Sequence, residues 1–198
     1  MKPEPVTRAS ASGAAIGVLV LTFFGAIWAF AALGNRPATP AWAFGLCAIP
    51  FAVLTVLGVR RLIAAGRLPA PENEAQAASE DRREGRWFGV VFAAEGILIV
   101  IASNVLAHAG KPLLIPVAIA AIVGVHFFPL ARLFRRPFYW VTGTLLVLCA
   151  GGSLLIADER GRLFALGLAA AAVLWSSAAF VLARSAAGAT ARGAPRSR

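Results

Sequence analysis

The sequence predicts an all-α protein, a polytopic bundle of six transmembrane helices with both termini on the cytoplasmic side. Three observations predict it. Six apolar stretches can each cover the roughly 20 residues that a helix needs to span hydrocarbon. Charged residues make up only 14% of the chain, against about 25% in a soluble domain. They sit in short clusters between the apolar stretches, and the basic ones are spread unevenly between the two sets of connectors.

Residues 1–12 read as a cytoplasmic tail and 13–33 as the first span. Ala29-Phe30-Ala31 has the small-residue spacing of a signal-peptide cleavage site, but the apolar run before it is longer than an ordinary signal core, so a span is the better reading. Gly34-Asn35-Arg36-Pro37 and Pro40 break the chain before the second span, 41–63. The connector 64–86 is the only long one. It holds Pro69-Ala70-Pro71, then Glu72, Glu74, Glu80, Asp81, Arg82, Arg83, Glu84 and Arg86. Mixed signs at helical spacing predict a solvated helical turn or two leading into the third span, 87–107.

Gly110-Lys111-Pro112 predicts a tight turn into the fourth span, 112–133. Arg135-Arg136-Pro137 precedes the fifth, 138–157, and Asp158-Glu159-Arg160-Gly161 precedes the sixth, 162–184. The tail 185–198, rich in Ala, Gly, Arg and Ser, is expected to be disordered and attracted to anionic headgroups.

With the N-terminus inside, the cytoplasmic connectors and tails hold 15 of the 19 basic residues and the opposite side holds Arg36, Lys111, Arg160 and Arg162. The same bias explains the net charge of +10 without a nucleic-acid partner. No basic stripe interleaved with stacking aromatics is present, and Arg outnumbers Lys by 17 to 2, a compositional bias. Cys47 and Cys149 both lie in apolar runs and read as small buried thiols rather than as a disulfide. No Cys/His metal spacing, phosphate-binding loop or nucleophile motif appears, so no metal or cofactor is expected.

Glu95 is the one acidic residue within a predicted span. A carboxyl group at that depth costs several kcal/mol unless protonated, paired or wetted, so it is the leading functional candidate. His126 is its best partner. If the hairpin of spans three and four pivots near residue 109 or 110, position 95 falls level with about 124. His126 is then offset by two residues, about 3 Å along the axis. Pro129 removes an N–H and frees the carbonyl of Val125 beside it, and Pro50 and Pro116 are read in the same way.

Thr22, Thr55, Thr142, Thr144, Ser176 and Ser177 fall at a similar depth and could extend a polar pocket opening towards the cytoplasm. Helix–helix hydrogen bonding explains such hydroxyls equally well. Tyr139 and Trp140 suit the membrane interface. Asn104 is expected to bond between helices. Gly13 and Gly17, followed by Gly25, then Gly143, Gly151, Gly152 and Gly167, offer small faces for close packing or dimerisation.

The run Val125-His126-Phe127-Phe128-Pro129-Leu130-Ala131-Arg132, followed by Tyr139-Trp140-Val141-Thr142-Gly143, resembles small uncharacterised bacterial integral membrane proteins. The resemblance covers the C-terminal half, implies a bacterial inner-membrane location and carries no activity.

Three functional readings are therefore in play. The first is a small transporter or ligand-binding protein centred on Glu95 and His126, with Thr55, Thr144, Ser176 and Ser177 lining the site for a small molecule or ion. The second is a membrane-embedded enzyme acting on a lipid-like substrate with His126 as acid–base group. It lacks a recognisable nucleophile, so a non-enzymatic role is favoured. The third is a non-catalytic assembly or regulatory protein. The partner expected is the lipid bilayer; a small-molecule or ion ligand and a second copy of the chain are the further candidates, with internal packing the better reading of the small faces.

Overall fold

The computed structural model describes residues 8–36, 38–68 and 74–193. The expectations for 1–7, for Pro37, for Pro69-Ala70-Pro71 with Glu72, and for 194–198 lie outside the described residues. Among the described residues there are six α-helices and no strand. These are α1 (Arg8–Gly34), α2 (Ala41–Gly66), α3 (Glu74–His108), α4 (Ile115–Leu133), α5 (Phe138–Ser153) and α6 (Glu159–Gly193), with one 3₁₀ turn at Pro112–Leu114.

Five of these elements contain a stretch long and apolar enough to cross a bilayer: Arg8–Gly34, Ala41–Gly66, Gly85–His108, Pro112–Leu133 and Glu159–Arg184. The chain has the build of a multi-pass membrane protein. α5 departs from the sequence expectation. It has 16 residues and stops at Ser153 rather than 157, about 24 Å at the helical rise. Gly151 and Gly152 weaken its last turn. The N–H groups of Leu154, Leu155 and Ile156 then bond three residues back, to Gly151, Gly152 and Ser153, so the chain tightens into a 3₁₀-like exit.

The connector 64–86 and the C-terminal tail differ as well. α3 begins at Glu74, so much of the charged connector is already helix and runs unbroken into the apolar segment. α6 continues to Gly193, where a disordered tail is expected from 185. Ala186, Ala187, Ala189 and Ala191 are strong helix formers, and an established helix propagates through them without needing a buried face.

α1 and α6 form the centre of the bundle. α2 packs on α1, α5 on α6, and α4 on α5, while α3 packs on α4. The close approaches depend on glycine, though not on Gly13 and Gly17, which sit in open space or beside only the Tyr139 hydroxyl. Trp175 of α6 seats over Gly25, and its indole N–H donates to the Thr22 carbonyl at 3.1 Å. Gly167 faces Trp28 and Ala32, Gly58 faces Leu19, and Gly124 meets Gly143 where α4 crosses α5. A Cβ at Gly151 or Gly152 would meet nothing within 4 Å. The largest core cluster draws Val18 and Leu21, Leu54, Phe127 and Leu130, Leu146, Leu174 and Leu182 from five helices. α3 contributes no fully buried residue to it.

Turn chemistry sets the α3–α4 hairpin. Gly110 takes φ +69°, the left-handed region open to glycine. Lys111 N–H donates to Leu106 and Gly110 N–H to Ala107, the paired bonds of a Schellman ending. α4 ends similarly, with Arg136 N–H bonded to Ala131 and Arg135 at φ +50°. A left-handed arginine costs about 1–2 kcal/mol, which the surrounding packing must offset. Pro116 lies in the first turn of α4, where its missing N–H frees nothing, so the role expected for it does not arise. Pro50 and Pro129 do lie inside helices.

Candidate functional site

α3 offers α4 a narrow face. Val91, Glu95, Ile99, Ala102, Ser103 and Leu106 are half-buried at helical spacing, and the residues between them are exposed. Glu95 sits within this face. Its Oε2 lies 3.3 Å from Nδ1 of His126, and the two side chains retain only 11% and 9% of their exposure. The sequence offset of two residues vanishes because the turn pivots at Gly110 and Lys111, one residue later than supposed.

The contact is within ion-pair distance without being a formed hydrogen bond. Nδ1 of His126 is buried and has no hydrogen-bond partner. The two groups are close but not aligned, and alignment decides hydrogen-bond strength. The two groups are placed to share a proton, but they are not locked together. A third polar group entering between them would find an unused ring nitrogen.

A closed circuit of rings passes through His126, and its two α3 members, Phe88 and Phe92, are themselves 40% and 50% exposed. Phe88 stacks on Phe92 with centroids 6.1 Å apart, and Phe92 meets His126 edge-on at 6.5 Å. His126 meets Phe127 at 6.0 Å, Phe127 stacks on Tyr139 at 5.7 Å, and Phe134 closes the loop, 6.2 Å from Tyr139 and 6.3 Å from Phe88. All fall within the range of favourable aromatic pairs. Phe88, Phe92 and Glu95 follow at i, i+4 and i+7, so their common face was available in the sequence. On α4 and α5 only His126 was foreseen as a partner; Phe127, Phe134 and Tyr139 were not.

The other expected site residues share the depth of the pair but do not gather around it. The Trp175–Gly25 and Gly167–Ala32 contacts set Thr22 level with Ala178. Thr142 Oγ1 lies 2.8 Å from Ser177 Oγ, and the Gly124–Gly143 crossing puts Thr142 close to the level of His126. Gly58 against Leu19 brings Thr55 to the level of Thr22. Yet Thr144 and Ser176 are exposed on the outside of the bundle, and Thr55 is half-buried on α2, which packs against α1. Thr144 is two residues from buried Thr142, a rotation of about 200°.

Ser177 and Thr142 also contact the carbonyls of Val173 and Phe138, at 2.8 and 3.1 Å. Two hydroxyl hydrogens serve three contacts, so this is an interhelical clasp. It stands apart from the Glu95–His126 pair, with stacked Phe127 and Tyr139 between α4 and α5. Among the described residues, Thr144 and Ser176 therefore do not join the pair in one continuous polar pocket. Thr22 Oγ1 is buried and has no hydrogen-bond partner.

Asn104 does not bridge helices. Its Nδ2 donates to Val100 of its own helix at 2.8 Å, and His108 Nδ1 lies 2.8 Å from the Asn104 carbonyl. Trp140 stacks on Phe128 at 5.2 Å under the Arg132 guanidinium. Cys47 and Cys149 are free thiols. Among the described residues no three His, Cys, Asp or Glu side chains converge on a metal-sized centre.

Residues 88–184 match the model of a family of unknown function (DUF7010). The matched segment begins at Phe88, within α3, and ends at Arg184, within α6, so it takes in α4, α5, Glu95, His126 and all six rings of the aromatic circuit. α1 and α2 lie outside it. The chain is in this respect similar to an uncharacterised family. No curated protein and no solved structure matches it.

Proposed function

We propose that this chain is a small proton-linked carrier or ligand-binding protein of a bacterial inner membrane, with Glu95 and His126 as its working pair. One observation supports this above the others. A carboxyl group and an imidazole stand 3.3 Å apart on adjacent helices, nearly enclosed and without a formed hydrogen bond. Such a pair can hold one proton in two ways, as carboxylate with imidazolium or as carboxylic acid with imidazole. α3 is the helix with no fully buried residue in its apolar segment, and it is attached chiefly through α4. A small shift of α3 would change the Glu95–His126 separation, which links proton occupancy to helix position.

The test is proton movement in proteoliposomes carrying an internal pH dye, with the membrane potential clamped and a pH gradient imposed. Wild-type protein should dissipate the gradient severalfold faster than Glu95→Gln, which should match empty liposomes. Wild type and Glu95→Gln relaxing at one rate would remove the carboxyl group from any carrier role.

The 15-to-4 distribution of basic residues supports a topology with both termini in the cytoplasm. Fusing a reporter that fluoresces only in the cytoplasm to the C-terminus should give bright cells, and fusing it after Lys111 should give dark ones. The reverse pattern would invert the topology.

A further inference from the structure

At the end of the bundle that holds the α5–α6 turn, the early exit of α5 leaves a groove of about 210 Å³. Cys149, Gly152, Ser153 and Ile156 form one wall, and Ala165, Leu166 and Ala169 form the other. The lining is nearly all apolar, and Ser153 turns its hydroxyl inward to the Ala150 carbonyl at 2.7 Å. From Ile156 to Cys149 the groove runs about 10 Å along the helix axis. It is smaller than the roughly 300–1,000 Å³ typical of drug-sized ligand sites, and its narrow shape suits a flexible hydrocarbon segment.

The rim has a polarity of its own. Arg162 Nε donates to the carbonyl of Ile156, a groove residue, at 3.1 Å. That bond fixes the guanidinium at the mouth, where its remaining N–H donors are suited to a phosphate or carboxylate. Arg160 is exposed beside it, and Arg36 of α1 lies over the Phe164 ring at 4.8 Å. Two acids share the rim. Asp158 is engaged, accepting the Gly161 N–H at 2.6 Å, and Glu159 is exposed. Arg162 is thus the basic group tied to the groove itself, and one of the two nearby carboxylates is occupied at the start of α6. An apolar trough at the membrane edge that ends on an anchored arginine is complementary to a lipid with an acidic head.

We propose that this groove holds one acyl chain of an anionic phospholipid, with the lipid phosphate against Arg162. The site is independent of the Glu95–His126 pair, which the helix registers place roughly 15 Å away along the bundle. The lipid would occupy the leaflet opposite the termini and fill the space that α5 leaves by ending early.

The test is lipid retention by native mass spectrometry of the purified full chain, offered phosphatidylglycerol or phosphatidylcholine of identical chains. Wild type should retain phosphatidylglycerol severalfold more than phosphatidylcholine. Gly152→Leu should lower that retention severalfold. A Cβ there meets nothing within 4 Å, so the fold has room for the change. Ala165→Leu fills the groove from the other wall and should act alike. Arg162→Gln should bring phosphatidylglycerol down to the level of phosphatidylcholine. Inorganic phosphate in excess should not displace the lipid, because the chain and not the head alone holds it. Equal retention of the two lipids by wild type, retention unchanged in both leucine variants, or displacement by phosphate would overturn the proposal.

Discussion

Replacing Gly143 with alanine is expected to destabilise the fold by about 2–3 kcal/mol, the upper part of the range for overpacking a tight interface. A Cβ at this position would lie 2.6 Å from the Gly124 carbonyl oxygen, 2.9 Å from Phe128 and 3.0 Å from the Phe127 Cβ. The first obstacle is backbone and cannot rotate aside. α4 and α5 would have to separate, and the Phe127–Tyr139 and Phe128–Trp140 stacks span the same seam. Gly151→Ala is the matched control in the same helix. Its Cβ meets nothing, so stability should be unchanged or slightly raised by the better helix former. Unfolding midpoints in detergent measure both. If the two variants behave alike, the α4–α5 crossing is wrong.

That pair of glycines also shows what the sequence could and could not convey. Depth was legible. Counting residues from the Gly110-Lys111 turn brought Glu95 and His126 to nearly one level, and the small error came from the pivot of the Schellman ending. Direction around each helix was not legible. In a membrane bundle the lipid-facing side is as apolar as the core, so the periodicity that marks a buried face in a soluble helix is lost. Thr144 and Ser176 had the right depth and turned out exposed, while Thr142 and Ser177 formed the clasp. For the same reason Gly13 and Gly17, which match the familiar spacing, pack against little, whereas Gly25, Gly58, Gly124 and Gly167 carry the close approaches. Helix ends were read from polarity, and polarity misplaced them where backbone preference decides. Gly151-Gly152 ended α5 inside an apolar run, and the alanines after 185 carried α6 beyond one.

The Glu95–His126 pair yields the second large effect, one that separates fold from function. In water, breaking a buried ion pair costs about 3–5 kcal/mol because a charge is stranded. In a bilayer the separated helices also remain in hydrocarbon, so most of that penalty is present in both states, and interhelical polar contacts are worth about 1–2 kcal/mol or less. His126→Leu and Glu95→Leu should therefore each lower the unfolding midpoint modestly, by about 1–2 kcal/mol. The double variant should be no less stable than either single one, since it strands nothing and α3 then meets α4 through an apolar face. A double-mutant cycle should give a coupling of similar size, opposite in sign to the single losses. Proton movement should be abolished in all three. A double variant that regains stability while remaining inactive would show that the pair is kept for its protons and not for its contribution to packing. Additive losses with no coupling would mean that the 3.3 Å contact contributes nothing, and the proposed centre would fail with it.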